Sequence, residues 1–217
     1  MIYYLVLHHL GVSCTTVVLQ RCKFDTDLKC EIVARNIWSG MYCLLFTWCG
    51  IQTQVESLQY AQLGYVASDV LLMQRMPQFK TNDVYVHHVC SFALVTYTVI
   101  SGERLYDLIH LGGIGEFSTV FLAVADTFKN LPWLQKRFPR INTFSRVCFF
   151  LAFVALRVCW WTYVILLRSP LDLRMNLIMV WVPFYGLLLL QYYWFALMLR
   201  WLCRVLDTSS RIGTIVH

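Results

Sequence analysis

The chain has 217 residues, of which 59% are hydrophobic and only 14% charged, with a mean hydropathy of +0.58 and a formal net charge of +6. Soluble domains carry about a quarter charged residues, so this composition excludes an ordinary water-soluble globular domain. The apolar residues arrive in runs of bilayer length, each close to the roughly 20 residues that cross the hydrocarbon core. Seven candidate spans follow in chain order. The first, 2–20, is interrupted by His8 and His9 and lacks the basic flank and small-residue cleavage site of a secretory signal, so it reads as a retained helix. The second, 32–51, ends at Gln52-Thr53-Gln54, the third, 57–76, at Pro77, and the fourth, 84–101, at Ser101-Gly102-Glu103. The fifth, 105–124, carries Asp107, His110 and Glu116 and stops short of the segment from Pro132 to Pro139. The sixth, 147–167, ends at Ser169-Pro170, and the seventh, 177–199, contains Pro183, which is expected to kink it.

With seven spans, 14 of the 18 lysines and arginines fall on one side of the membrane, three (Arg104, Arg168, Arg174) on the other, and Arg157 within a span. The positive-inside rule then places the N-terminus in the lumen and the C-terminus in the cytosol. Topology thus accounts for the positive charge, and no nucleic-acid partner is implied. Residues 1–31 read as an N-terminal transmembrane helix with its cytosolic loop, 32–205 as a six-helix membrane domain, and 206–217 as a short cytosolic tail. Most of the nine cysteines lie in or beside spans, and none forms a C-x-x-C pair, so neither a disulfide framework nor a zinc site is expected.

An ionisable side chain within a span costs about 2.5 to 3.5 kcal/mol on insertion scales, so each one needs a reason. Asp69 follows Gln62 and Tyr65 at helical spacing, giving one polar stripe that should face the bundle interior. Its simplest role is an interhelical hydrogen bond or an ion pair with Arg157. His87 and His88 lie about 100° apart on their helix, with Ser91 one turn from His87. Imidazole suits proton transfer near neutrality and also accepts acyl groups. A carboxylate that orients it would be Glu116 or Asp69; the plain alternative is a histidine pair capping carbonyls near a helix end. Trp161, one turn from Arg157, is placed to stack on the guanidinium. The six histidines lack the clustered boxes of a di-iron enzyme and the facing ligands of a haem site, so no metal or cofactor is expected. Gly112-Gly113-Ile114-Gly115 has no preceding strand or following lysine, and reads as a small-residue face for close helix contact.

In chain order Trp38-Ser39 comes first, then Gly64-Tyr65-x-x-Ser68-Asp69, Asp83 with His87-His88, Leu111 with Glu116-x-Ser118 and Phe121, and finally Arg157. That order of features resembles the TLC-domain family. The resemblance implies an all-α integral membrane bundle of six to seven transmembrane helices around a central, lipid-accessible cavity, usually in the endoplasmic reticulum. In the family's ceramide synthases, which transfer an acyl group from acyl-CoA to a sphingoid base, a tandem histidine pair and a later His-Asp pair are catalytic. His87 and His88 match the tandem pair. The later pair falls on Gly115-Glu116, keeping a carboxylate and losing the histidine, and two further acids fall on Thr119 and Ala123. These departures are closer to the small TLC domain-containing proteins of membrane lipid homeostasis. The resemblance therefore implies a protein that binds or modifies acyl lipids, with membrane lipids as partners and acyl-CoA as a substrate if it is an acyltransferase. His87, His88, Glu116 and Asp69 are its catalytic candidates, and Tyr65, Ser91, Ser118 and Arg157 its cavity-lining candidates. A non-catalytic lipid-binding regulator is the alternative.

Overall fold

A computed structural model of the chain describes residues 2–21, 24–52, 55–74, 81–101, 112–168 and 177–215. No water satisfies backbone N–H and C=O groups inside a bilayer, so an apolar chain closes its hydrogen bonds within helices. The described residues do this throughout. They form α1 (Ile2–Arg21), α2 (Asp27–Ile51), α3 (Val55–Met73), α4 (Asn82–Ser101), α5 (Phe117–Asn130, preceded by a helical turn at 112–115), α6 (Pro132–Arg137), α7 (Pro139–Ala152) and α8 (Leu177–Ile215). α7 continues unbroken through two wider π-type stretches, Phe153–Trp160 and Val164–Arg168, joined by the α turn Trp161–Tyr163. The outward residues are large and apolar: Leu189 is 70% exposed, Val182 65% and Leu151 60%. Water penalises such a surface, whereas lipid tails accommodate it. The stretches Asn82–Ile100, Pro139–Leu166 and Val180–Arg204 are long and apolar enough to cross a membrane by length and composition. The protein is an all-α membrane bundle.

Helical residues lie within each of the seven expected stretches, in the fifth from residue 112 onward where the described residues resume, and two differences in bounds are informative. α2 starts at Asp27 rather than at residue 32, because the turn before it is built locally. The Thr26 N–H donates to Asp25 Oδ1 at 2.7 Å, and Lys29 reaches back to the same carboxylate at 3.3 Å. As a consequence Arg35 lies well inside the helix and is buried, not at a cytosolic edge. The segment between the fifth and sixth spans is not a plain loop either. Pro132 and Pro139 each open a helix, where a missing N–H costs nothing, and the fully buried Leu131 anchors the turn before α6. Pro77, Asp107, His110 and Leu111 lie outside the described residues.

Six helices close a ring: α2 packs on α5, α5 on the 139–168 rod, that rod on α8, α8 on α4, α4 on α3, and α3 back on α2. α1 lies outside it, against α2 and α3. Trp38 of α2 donates its indole N–H to Thr15 at 2.9 Å, and a Cβ at Gly11 would overlap the Trp38 ring, so α1 docks closely there. Small residues let the ring helices approach. A Cβ at Gly50 would lie 3.2 Å from the Gly113 backbone, and one at Gly186 the same distance from the Cys90 sulfur. The expected small-residue role of the 112–115 stretch is met in this contact with α2.

Candidate functional site

The ring encloses a chamber of about 610 Å³. Its walls come from 35–46 of α2, 62–69 of α3, the first half of α4, the length of α5, the middle of the 139–168 rod and the middle of α8, so it extends from mid-bundle toward the end where α2 and α4 begin. Phe46, Leu122, Phe149, Phe153 and Leu197 give it apolar surface. Toward the other end lies a smaller chamber of about 50 Å³, whose wall includes Leu94, Trp161, Phe184 and Leu187. Five residues line both chambers: Gln62, His87, Ser91, Glu116 and Arg157. They form the boundary, a neck of shared lining, between the two.

All eight residues singled out from the sequence line the large chamber. The stripe Gln62, Tyr65 and Asp69 faces it as helical spacing requires, and Tyr65 shares a 2.6 Å hydrogen bond with Ser39 of α2. The pairing of the charges differs from the sequence expectation. Asp69 meets Arg35, not Arg157: Arg35 Nε donates to Oδ1 at 2.9 Å and Nη2 to Oδ2 at 2.7 Å, a two-pronged contact with both side chains buried. Such a fork fixes the carboxylate plane as well as neutralising its charge. The reason is the helix face, since Arg35 lies one turn before Ser39 and both meet α3.

His88 Nε2 lies 3.1 Å from Asp69 Oδ2. Asp69 is thus the carboxylate that orients a histidine, and Glu116 is engaged elsewhere. A neutral imidazole that donates Nε2–H to a carboxylate keeps its lone pair on Nδ1. In His88 that Nδ1 is buried with no hydrogen-bond partner among the described residues. The chain Arg35, Asp69, His88 therefore holds an imidazole in the tautomer of a proton acceptor, the arrangement by which an orienting acid prepares a base. His87 packs edge-on against His88, with ring centroids 5.4 Å apart, and tilts against Trp194 of α8 at 5.5 Å. Trp194 in turn donates to Asp83 at 2.6 Å, fixing that side of the chamber.

Glu116 and Arg157 make the second buried pair, at 3.2 Å. Arg157 Nε also reaches Ser118 Oγ (2.8 Å) and the Gly115 carbonyl (3.1 Å), and Nη2 reaches Thr119 Oγ1 (2.8 Å). Glu116 Oε2 accepts from Thr119 at 2.8 Å and from the Cys43 thiol at 3.4 Å. Arg157 lies on the first π-type stretch, the kind of widened turn often found at functional sites. Its guanidinium carbon is 6.0 Å from the Phe153 ring, while the Trp161 indole nitrogen lies where a Cβ of Gly115 would meet it at 3.1 Å.

Two residues escaped the sequence reading. Arg35 is legible in the stripe that it forms with Ser39, Tyr42 and Phe46 at helical spacing, all four within the expected span 32–51. His8, an interruption in the first span, is fully buried, bonded to Ser68 at 2.8 Å and flanked edge-on by Tyr42 and Tyr65 at 5.0 and 5.3 Å. Its burial beside Ser68 ties α1 to the ring next to Asp69, and no local pattern announces that contact. Among the described residues, no three His, Cys, Asp or Glu side chains gather as a metal site would need.

No curated protein and no solved structure matches the chain at a significant level. The family model for the TLC domain (TRAM, LAG1, CLN8) matches residues 1–200, taking in α1, the ring as far as residue 200 of α8 and both buried ion pairs. The chain belongs to the TLC-domain family.

Proposed function

We propose that the large chamber holds an acyl lipid, and that the protein serves membrane lipid homeostasis in the endoplasmic reticulum with its N-terminus lumenal and its C-terminus cytosolic. The observation that carries the reading is a 610 Å³ chamber with apolar walls, inside a membrane bundle, built around a buried imidazole with a free nitrogen. Pockets of this volume suit small molecules, for which sites span about 300–1,000 Å³. The reaction that fits such an imidazole is acyl transfer from acyl-CoA. His88 Nδ1 takes the proton of an acceptor amine or hydroxyl as its nitrogen or oxygen bonds to the thioester carbonyl carbon. The C–S bond then breaks, and the same proton passes to the departing CoA thiolate. Asp69 and Arg35 hold His88 for this step. The anionic head of the donor meets Lys129, which lines the chamber.

A second reading, a lipid-binding regulator without catalysis, is favoured by the complete pairing of the charges, since Arg35 with Asp69 and Arg157 with Glu116 is also what a purely structural network would contain. Mass spectrometry of lipids separates the two. The purified protein is incubated with labelled acyl-CoA and mixed acceptors, beside an equally well-folded His87→Ala, His88→Ala variant. Labelled N-acyl or O-acyl product from the native chain alone supports transfer. No product from either, with the same lipid co-purifying with both, supports the regulator.

A further inference from the structure

The small chamber beyond the neck contains an unmet hydrogen-bonding demand. Gln191 of α8 lines it and is 0% exposed, yet neither Oε1 nor Nε2 of its amide has a hydrogen-bond partner among the described residues. A buried donor and a buried acceptor left unmet are each costly, so such a group implies something that answers it. Gln191 is one turn from Trp194, which touches His87, and Phe184 and Leu187 continue the same stripe into the small chamber. Gln191 therefore lines the small chamber and not the large one. The same wall carries Gln62 and Ser91 and leaves out side chains at Gly112 and Gly115, so space and polar atoms coincide there.

We propose that the small chamber is a subsite for a neutral hydrogen-bonding end group of the bound acyl lipid, a hydroxyl or an amide, recognised by Gln191. A primary amide both donates and accepts, so its complement is a group that does the same. The volume of about 50 Å³ admits a few water-sized atoms, which limits the end group to two or three non-hydrogen atoms beyond the neck. Among the described residues the charged groups lining it are Glu116 and Arg157, and these neutralise each other. A phosphate-bearing head is thus too large and too charged for it. The inference rests on the reading that the large chamber holds the acyl chain.

Two probes differ only in the group at issue: N-(2-hydroxyethyl)hexadecanamide and N-propylhexadecanamide, the second lacking the terminal hydroxyl. Their affinities for the purified full chain are compared by native mass spectrometry, for the native protein, Gln191→Leu and Gln191→Asn. The native chain is expected to bind the hydroxyl probe about tenfold more tightly. Gln191→Leu should bring that ratio to about one while keeping affinity for the propyl probe, and Gln191→Asn, which retains the amide, should keep part of the preference. If Gln191→Leu does not fold, the native chain and Gln191→Asn still decide. Equal binding of the two probes by the native chain means that the subsite holds water only, and overturns the proposal while leaving the acyl-lipid reading intact. An unchanged ratio in Gln191→Leu overturns Gln191 as the recognising group. Failure of the folded native chain to bind either probe overturns both the subsite and the acyl-lipid reading beneath it.

Discussion

The two buried ion pairs of the ring solve the same electrostatic problem in different ways. Arg35 and Asp69 concentrate everything in one two-pronged contact, with Asp69 almost wholly buried and His88 as its third partner. Glu116 and Arg157 share one 3.2 Å contact and spread the rest over Ser118, Thr119, the Gly115 carbonyl and Cys43. A concentrated pair has no substitute when one partner is lost, whereas a spread network degrades by steps. The rigid pair also touches a histidine, and the spread pair lines both chambers.

Substitutions turn that contrast into ranked outcomes. Asp69→Ala or Arg35→Met leaves an uncompensated buried charge and should cost about 3–5 kcal/mol, seen as loss of monodisperse protein on gel filtration. The double variant Arg35→Met, Asp69→Leu should recover most of that stability; if it is as damaged as either single change, the pair is not what binds α2 to α3. His88→Ala removes one hydrogen bond to an ionised group and should cost about 1.5–3 kcal/mol in a thermal melt. Glu116→Gln keeps an acceptor for Arg157 and Thr119, so a smaller loss of about 1 kcal/mol is expected. An effect as large as that of Asp69→Ala would mean that the two networks do not differ. His87→Ala, whose Nδ1 has no partner among the described residues, should change melting least, by under about 1 kcal/mol, while abolishing any transfer activity that depends on the histidine pair.

The helices were largely legible because bilayer length and apolar runs are local properties, written within 20 consecutive residues. The lining of the chamber was legible in part for the same reason: Gln62, Tyr65 and Asp69 share one face by spacing alone, and a polar stripe in lipid must turn inward. Partnership was not. Arg35 belongs with the cytosolic cations when charges are counted loop by loop, although the span 32–51 contains it; its burial depends on α3 bringing Asp69 to its face of the helix. The choice of Asp69 over Glu116 as the histidine's carboxylate depends on which helices are neighbours in the ring. His8 meeting Ser68 depends on α1 docking outside α2 and α3. The division into two chambers depends on how six helices diverge, which no single helix encodes.

The central claim is that acyl chain occupies the interior of the ring, and photocrosslinking with a diazirine-bearing fatty acid in purified protein tests it most directly. Saturable labelling of peptides bearing Leu122, Phe149, Phe153 and Leu197, competed away by unlabelled lipid, is the expected result. Labelling confined to outward residues such as Leu151, Val182 and Leu189, with no competition, would contradict a lipid-holding chamber.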